Sequence, residues 1–525
     1  MLFISILILI MVMAISSLKD KIHPIIFQRI SSIILIYAGA LSFNALYIQS
    51  IGSGIGIYSG LFHVTFISQL LEIFIYLIGA AILIARPSVA SSQNNISIIL
   101  ENNYKNTIEY SLIIIFSTLG ASLLISSSNL ISMYLSTELQ SFAVYILPTL
   151  YKDSVLATNA GLKYFLLGSL ASCFILLGSG LIYTYTGLTN LESIYNLISV
   201  TESLSSNISQ GIALGFIIIF VGYLLKISAA PLHNWAPDVY DESPTIVTIW
   251  LTIMPKISIL ILILEIFTQI TSVNPVLESL GLNTIKFLLL ISSLFSLIIG
   301  TVVGLTQIKI KRLLAYSTIS HIGFILLALA INSVQSIDSF IFYILQYTLT
   351  NLNTFLILIA IGYILNNNIL INKGSEKDIN FISELKGLFF SNPILSLSLT
   401  ICLLSMAGTP PFLGFFSKQF VLYSAIESGY YFMSIAGILV SIISASYYLR
   451  IIRILHTERL SNKLEQGSPI VLNKSLNGPE NSKVEISNIH SLIISILTLL
   501  ILFFILKPSI LLKSTQLLSL SLFVN

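Results

Sequence analysis

Five ionisable residues interrupt the apolar stretches of this sequence: Glu138, Lys226, Lys256, His321 and Lys418. A charged side chain at the centre of a bilayer costs about 3 kcal/mol or more, and such residues commonly mark ion or proton pathways. Lysine, glutamate and histidine side chains can each bind and release one proton. The five residues therefore predict a proton relay inside a membrane protein.

Proline residues accompany the lysines along the chain. Pro231 follows Lys226 within a few residues, and Pro255 directly precedes Lys256. Because proline in a helix removes a backbone donor and frees the carbonyl four residues earlier, we expect Pro231 to free the carbonyl of Ile227. Freed backbone groups persist at membrane depth only where water or protein satisfies them. The pattern favours a hydrated path beside two lysines.

Glu138 stands two predicted spans before Lys226 and is the candidate partner of that lysine. Two interpretations remain open: a structural ion pair between helices, or a switch that loads and unloads a proton. Burial disfavours a charged lysine, whereas a nearby carboxylate favours it. A pair about 4 Å apart is worth ~4 kcal/mol at an effective dielectric of ~20, close to the ~3.5 kcal/mol needed to move one proton against ~150 mV.

The other members of the set also have alternative interpretations. We predict that Lys256 relays protons in the middle of the path, although a snorkelling or structural role is the alternative. Lys418 follows a second broken helix, at 408–417, and is predicted to be the terminal relay group. His321 either links the lysines or tethers the basic turn at 311–312.

Four further ionisable residues lie in or near these elements: Glu72, His233, Asp238 and Glu265. We expect Glu72 and Glu265 to form structural pairs. His233 and Asp238 follow the break after Lys226, where they either take up protons or form the polar turn that joins two helices.

The composition is that of an integral membrane protein. Of the 525 residues, 55% are hydrophobic and 9% are charged, and the mean hydropathy is +0.95, whereas a soluble domain has about 25% charged residues. The net charge of +3 gives no sign of nucleic-acid binding. Cys173 and Cys402 stand alone in apolar segments, so the sequence predicts no metal site, iron–sulfur cluster or other cofactor bound by this chain.

Apolar segments long enough to cross a bilayer, roughly 20 residues each, number about fourteen. Most lysine and arginine residues lie in the loops of one side, which by the positive-inside rule places both termini on the opposite face. The predicted spans are 1–18, 30–49, 61–85, 110–126, 129–150, 161–186, 210–230, 244–270, 284–306, 314–332, 338–365, 391–425 (broken), 432–454 and 487–506, followed by an apolar tail at 507–525.

Two polar loops, 366–390 and 455–486, lie on the positively charged side, and the second has no assigned role. The glycine-rich stretch 51–60 lacks the strand and helix of a dinucleotide fingerprint, so we predict a turn there. A faint repeat relates Leu224–Pro231 to Leu403–Pro410. Paired broken segments of this kind are typical of inverted-repeat transporters.

Three motifs resemble the antiporter-like membrane subunits of respiratory complex I, the NADH:ubiquinone oxidoreductase. They are the run APLHNWAPDVY at 230–240 with Pro255-Lys256, the run KRLLAYSTISH at 311–321, and the run GTPPFLGFFSK at 408–418. The Ala-Pro-Asp-Val-Tyr run and a lysine rather than a glutamate at 418 favour the subunit 2 branch of the family. The length is similar to that of fungal and plant members.

The resemblance implies an all-α integral membrane fold of about fourteen transmembrane helices, with two inverted five-helix repeats that contain broken helices. The corresponding parts are 1–109, with three N-terminal transmembrane helices; 110–270 and 284–455, the two antiporter-like repeats; and 456–525, with the polar loop, the last transmembrane helix and the tail.

The resemblance also implies a role for each site residue. Glu138 and Lys226 would be the gating pair, Lys256 the central carrier, His321 a link and Lys418 the outlet group. The function would be proton translocation across the inner mitochondrial membrane, driven by electron transfer from NADH to ubiquinone.

The implied complex uses NADH, FMN, iron–sulfur clusters and ubiquinone, none of them bound by this chain. Its implied partners are other membrane-arm subunits, including neighbouring antiporter-like subunits, and membrane lipids, with no nucleic acid. Both termini would face the intermembrane space.

Two other functions remain open at the level of sequence. An independent cation/proton antiporter would use the same broken helices and lysines. A membrane scaffold with vestigial charges is disfavoured, because a scaffold gains nothing from lysines that are costly to bury.

Overall fold

Long apolar helices form most of the part of the chain that the structure describes, as the hydropathy predicts. The structure, a computed structural model, describes residues 1–16, 24–48, 54–84, 107–152, 154–200, 206–272, 282–369, 378–458 and 487–524. The helices pack side by side and bury one extensive apolar core. The prediction of an all-α membrane protein is confirmed.

A two-stranded hairpin lies among the helices of the first half of the chain. The helices and strands there are α1 Leu2–Ser16, α2 Pro24–Ala45, β1 Ile55–Ile57, β2 Phe62–Val64, α3 Phe66–Ile84, α4 Thr107–Ile125, α5 Leu130–Thr149, α6 Val155–Thr186, α7 Leu191–Val200, α8 Ser206–Lys226, α9 Trp235–Glu242 and α10 Thr245–Ser272. The antiparallel hairpin accounts for most of the glycine-rich stretch that the sequence analysis predicted as a simple turn.

The second half is helical throughout its described part. Its helices are α11 Leu282–Leu305, α12 Ile310–Ile331, α13 Val334–Ile369, α14 Leu388–Ser391, α15 Pro393–Ala407, α16 Leu413–Glu427, α17 Tyr431–His456, α18 Asn488–Phe503 and α19 Ser509–Val524, with short 3₁₀ turns at Ile382–Leu385 and Phe504–Leu506. The predicted polar loop at 455–486 lies almost wholly outside the described residues.

Ten helices in the described ranges are long and apolar enough to cross a membrane. Four shorter apolar helices lie at Leu2–Ile15, Glu109–Ile125, Gln210–Lys226 and Pro393–Ala407. Each of these fourteen segments coincides with a predicted span or with one arm of the predicted broken span. The count of fourteen crossings stays a prediction, because the four short helices do not reach the length of a full span.

The first break differs from the one predicted. Helix α8 ends at Lys226, so Pro231 lies beyond the helix and removes none of its hydrogen bonds. Ser228 turns the chain with φ of 62°, and the N–H of Ala229 donates to the carbonyl of Leu224 at 3.0 Å. This is the C-terminal Schellman motif, in which one residue adopts left-handed φ. The carbonyl of Ile227 accepts the hydroxyl of Ser228.

The second break has the same backbone pattern. Gly408 has φ of 84°, and the N–H of Thr409 donates to the carbonyl of Leu404 at 3.2 Å. Leu224 therefore corresponds to Leu404, one residue away from the alignment with Leu403 that the sequence suggested. The inverted relation between the two repeats stays a prediction.

Ion pairs fix the short helix α9 at the surface where the basic loops lie. Asp238 pairs with Lys163 at 3.5 Å and with Arg312 at 3.2 Å, while Asp241 pairs with Lys309 at 2.7 Å. The side chains of Lys163, Asp238 and Arg312 are between 37% and 44% exposed. Exposed pairs of this kind contribute about 0–1 kcal/mol each.

Asp378, whose side chain is 36% exposed, joins a buried lysine to a helix start at the same surface. Its carboxylate accepts the Nζ of Lys311 at 2.6 Å, and the backbone N–H and hydroxyl of Thr245 at 3.0 and 2.9 Å. Thr245 begins α10, where backbone N–H groups lack helical acceptors. The carboxylate thus joins the start of the Lys256 helix to the start of α12.

The variant Asp378→Asn is expected to lower the free energy of unfolding by about 1–3 kcal/mol, because it leaves the buried Lys311 ammonium without its carboxylate. The thermal-unfolding midpoint of the detergent-solubilised protein measures this loss. Asp238→Asn is the matched control and is expected to cost about 1 kcal/mol or less. Equal losses in the two variants would contradict the proposed junction.

Candidate functional site

Lys226 and Glu138 form an ion pair between α8 and α5. The Nζ of Lys226 donates to Oε1 of Glu138 at 3.1 Å and lies 3.5 Å from the hydroxyl of Ser141. The two charged side chains are 6% and 13% exposed. Lys226 is the last residue of its helix, where unsatisfied carbonyls favour a cation. The predicted pair is present, but its gating role stays a prediction.

A small cavity of about 20 Å³ adjoins this pair, enough for about one water molecule. Its lining includes Gln140, Ser141, Lys226 and Pro255. Gln140 accepts the hydroxyl of Ser258 at 3.0 Å, while its Nε2 has no partner among the described residues. The cavity therefore lies between the ion pair and the helix that carries Lys256.

Lys256 is enclosed in the protein interior, with 1% of its surface exposed. Its Nζ donates to the hydroxyl of Thr318 at 3.2 Å and lies 5.3 Å from the centre of the Tyr240 ring. Among the described residues no carboxylate lies within ion-pair distance of it. Burial at this depth contradicts the snorkelling interpretation, because a snorkelling lysine reaches the aqueous interface.

His321 lies in a cluster of tyrosine hydroxyls. Its Nδ1 is 2.8 Å from the hydroxyl of Tyr343, and its Nε2 is 3.4 Å from the hydroxyl of Tyr448. It also shares a face of α12 with Thr318, three residues earlier, because such pairs are neighbours on a helix. The basic turn at 311–312 bonds elsewhere, so the interpretation of His321 as its tether is wrong.

Lys418 reaches back across the second break. Its Nζ donates to the carbonyls of Met406 and Ala407, both at 2.9 Å. Pro410 and Pro411 occupy the positions four residues later, and since proline has no N–H, they leave these two carbonyls without helical donors. The lysine therefore caps the end of α15 from the first turns of α16.

Gly408 makes this approach possible. A Cβ at this position would lie 2.9 Å from the Cδ of Lys418, and the φ of 84° is unfavourable for other residues. Between Lys418 and His321 lies Phe324, whose ring centre is 5.7 Å from the Nζ of Lys418. Phe324 stacks on Tyr343, the partner of His321. Lys418 and Lys256 both lie within electrostatic range of His321.

Two acidic residues lack the predicted pairs. Glu72 lies 3.5 Å from the Nε2 of Gln69, and Glu265 lies near Tyr195. Neither forms an ion pair within the part of the chain that the structure describes, so the expectation of structural pairing is not confirmed there.

Among the described residues, neither His233 nor Asp238 forms a hydrogen bond or ion pair with Lys226, Lys256 or Lys418. The Nδ1 of His233 is 3.3 Å from the carbonyl oxygen of Pro231, and Asp238 belongs to the surface ion pairs. The indole N–H of Trp235 donates to the carbonyl of Leu225 at 2.9 Å. These contacts are those of a polar turn between two helices, and proton uptake by His233 and Asp238 stays a prediction.

Several residues of the site were missed by the sequence analysis. They are uncharged: Gln140, Ser141, Thr318, Tyr343 and Tyr448. Their signal in the sequence was weak, because polar residues without charge are common in membrane helices and commonly bond to their own backbone. Their importance depends on which charged residue each one meets across helices.

A family model described as the transmembrane region of NADH:quinone oxidoreductase and Mrp antiporters matches residues 127–444. A protein of Rhizopus oryzae named NADH-ubiquinone oxidoreductase chain 2 is 50% identical over 98% of this chain and 99% of that protein. A protein of the same name from Marchantia polymorpha is 38% identical over 67% of this chain and 68% of its own length. NADH-quinone oxidoreductase subunit N of Paramagnetospirillum magneticum is 36% identical over 68% and 70%.

Solved structures share the fold. A chain of respiratory complex I from Thermus thermophilus matches with a TM-score of 0.70 and 23% identity over 98% of this chain and 99% of that one. A chain of an archaeal membrane-bound sulfane sulfur reductase matches with a TM-score of 0.77 and 21% identity over 99% and 96%. The matched region 127–444 contains all five residues of the predicted relay. The chain therefore belongs to the NADH:quinone oxidoreductase/Mrp antiporter family of membrane subunits.

Proposed function

We propose that this chain is the proton-translocating subunit 2 of the mitochondrial NADH:ubiquinone oxidoreductase. The name of the Rhizopus oryzae relative supports this assignment, because that relative matches the chain at 50% identity from end to end. The plant relative bears the same name. The apolar helices make the chain a multi-pass membrane protein, and its proposed location is the inner mitochondrial membrane.

The main evidence for a proton relay is the position of Lys256. This lysine lies in the interior without a carboxylate partner among the described residues, between the Lys226–Glu138 pair and the His321 cluster. A permanent charge there has no structural benefit, because an ionised group is costly to bury without a partner. A group that alternates between ammonium and neutral amine is easier to accommodate, and that alternation is what proton transport requires.

The proposed route runs through the five residues in order. A proton reaches Lys226, whose affinity for it depends on the distance to Glu138. From Lys226 the proton crosses the cavity beside Gln140 and reaches Lys256. It then moves through the hydroxyls of Thr318 and the tyrosine cluster to His321. From His321 it passes to Lys418. Hydroxyl groups suit the intermediate positions, because each can accept one hydrogen bond while it donates another.

Lys418 is the proposed outlet group. As an ammonium it donates to two carbonyls at the break. When Lys418 releases its proton, it loses this charge-assisted interaction with the two carbonyls. The conformation of the break and the protonation state of Lys418 therefore depend on each other. We propose that rearrangement of the break controls the release of the proton toward the intermembrane space, the face on which we place both termini.

Redox chemistry belongs to other subunits in this proposal. The described ranges contain no group of three His, Cys, Asp or Glu side chains suited to a metal ion. We place FMN, the iron–sulfur clusters and ubiquinone in other subunits of the complex, and we propose that their energy reaches this chain through neighbouring membrane-arm subunits. Lipids cover the exposed apolar helix faces.

Native electrophoresis of gently solubilised membranes tests this assignment. We expect the chain to migrate in a very large assembly that oxidises NADH. A small assembly without NADH oxidation would refute the assignment and would favour an independent cation/proton antiporter, which an exchange assay in vesicles would then measure. Antibody against a loop tag, with and without permeabilisation, separately tests the orientation of the termini.

A further inference from the structure

A buried histidine lies outside the route described above. His490, in the first turn of α18, is completely buried, although Asn488 and Ile489 just before it are exposed. Its Nε2 is 3.1 Å from the carbonyl oxygen of Leu356 on α13. Since a carbonyl can only accept, Nε2 carries a proton and donates it. The Nδ1 has no hydrogen-bond partner among the described residues, so one basic nitrogen is free within a helical turn of the surface.

Helix α13 carries a stripe of buried polar side chains between the level of His321 and the level of His490. At 100° per residue the stripe spans an arc of about 160°, and at 1.5 Å per residue it is about 16 Å long. Its members are Tyr343, Gln346, Tyr347, Thr350, Asn351, Asn353 and Thr354, each at most 1% exposed. A stripe of this length covers about half of the hydrocarbon core of a bilayer.

Three amide oxygens in the stripe are unused. Those of Gln346, Asn351 and Asn353 have no hydrogen-bond partner among the described residues. An unsatisfied buried acceptor lowers stability by about 1–3 kcal/mol, whereas an apolar side chain of the same shape would avoid this loss. Polar groups that line an internal path can hold water molecules in file, which offsets this cost. The unused oxygens therefore provide free hydrogen-bond acceptors along α13.

Asn353 connects this stripe to α15 and the outlet lysine. Its Nδ2 donates to the Sγ of Cys402 at 3.1 Å. Cys402 lies four residues, or about 6 Å along the axis, before Met406 on the same helix. The carbonyl of Met406 in turn accepts the Nζ of Lys418. The seam between α13 and α15 thus leads directly to Lys418.

The other end of the seam leads to His490. Leu356, which accepts the imidazole N–H, lies one turn beyond Asn353 on α13. Helix α18 packs on both α13 and α15. His490 and Lys418 therefore lie at the two ends of one polar seam, and this seam does not include Lys256.

We propose that His490 loads protons into a second inlet, which supplies Lys418 along the seam of α13 and α15. The inference rests on the proposed function of Lys418 as a relay group. One N–H bond forms when Nδ1 takes a proton from the face on which α18 begins, and the same bond breaks when the proton passes to the stripe. The Nε2–H bond to Leu356 stays intact throughout.

The variant His490→Gln tests the inlet in the intact complex. Glutamine keeps an amide donor for the Leu356 carbonyl but has no basic nitrogen. We expect normal assembly and thermal stability, while protons pumped per NADH oxidised fall by about twofold or more because a positioned proton acceptor is lost. His456→Gln, at an exposed histidine near the end of α17, is the control and is expected to pump normally.

Asn353→Leu tests the seam independently of His490. If Asn353 only packs, the leucine removes an unused buried acceptor, so stability and pumping are unchanged or higher. If the seam is a proton inlet, Asn353→Leu is instead expected to lower the number of protons pumped per NADH oxidised. Thr348→Val is the matched control, because Thr348 is buried on the same helix but outside the stripe, and its hydroxyl donates to its own helix at Leu345.

Reduced pumping in both test variants, with assembled complex and normal controls, supports the inlet. Normal pumping in both overturns it, and if His490→Gln fails to assemble, Asn353→Leu decides alone. Lys256→Ala reports separately on the proposed function. A block in Lys256→Ala together with normal pumping in the two test variants would retain the relay and reject only the second inlet.

Discussion

Replacing Lys256 by alanine is expected to lower coupled proton transport sharply while the chain still assembles into its complex. The lysine is the central group of the proposed route, bonded to Thr318 and fully enclosed. A positioned proton acceptor typically accelerates transfer by about 10²–10⁴-fold, so we expect proton transport to fall by about tenfold or more. Protons pumped per NADH oxidised, measured in sealed membranes, give the result.

Lys256→Arg distinguishes proton transfer from positive charge. Arginine keeps the charge and can still donate to Thr318, but it does not release its proton in a protein. A relay therefore predicts failure of both variants, whereas an electrostatic or structural role predicts that arginine restores transport. Lys513→Ala, at an exposed lysine of α19, is the control for general effects of charge loss. Normal pumping in Lys256→Ala would reject the relay.

Replacing Glu138 by glutamine is expected to produce the second-largest loss. The ion pair with Lys226 is 3.1 Å long, which corresponds to a Coulomb energy of about 5 kcal/mol at an effective dielectric of ~20. This exceeds the ~3.5 kcal/mol for moving one proton against ~150 mV, so separating the pair can drive a proton step. Without the carboxylate, we expect coupled transport to fall by about tenfold, in line with the loss of one proton-transfer group.

A double variant separates gating from structural pairing. Breaking a buried pair from one side costs about 3–5 kcal/mol, whereas replacing both partners by uncharged groups is commonly near neutral. Glu138→Gln combined with Lys226→Met is therefore expected to recover the thermal stability lost in Glu138→Gln. A gate predicts that transport stays blocked in the double variant. Recovery of both stability and transport would identify the pair as purely structural.

The sequence by itself was enough to predict three features of this protein. They are its class as a membrane protein, the positions of the charged residues within the apolar segments, and the second helix break. Ionised side chains are so costly in an apolar segment that their positions are informative without a structure. Pro410 and Pro411 likewise predict a broken helix, because two missing N–H groups cannot be replaced locally. The structure confirms this break, with α15 ending at Ala407 and α16 beginning at Leu413.

Only the tertiary structure decided the partners of these residues. The sequence suggested Glu138 for Lys226, yet it could not show that Lys418 would take the carbonyls of Met406 and Ala407. It also left His321 between two interpretations; the structure places tyrosine hydroxyls on both ring nitrogens instead of the basic turn, while the role of His321 as a link stays a prediction. These contacts join residues on different helices, from 11 to 127 positions apart, and no periodic pattern within one helix encodes them.

The first break shows the limit of local reasoning most directly. Pro231 suggested a kinked helix, but α8 already ends at Lys226, because Ser228 adopts a left-handed conformation. The side chains of Trp235 and Ser228 satisfy the carbonyls of Leu225 and Ile227. A proline limits where a helix can continue, whereas its actual end depends on which groups satisfy the last carbonyls, and packing across the fold supplies those groups.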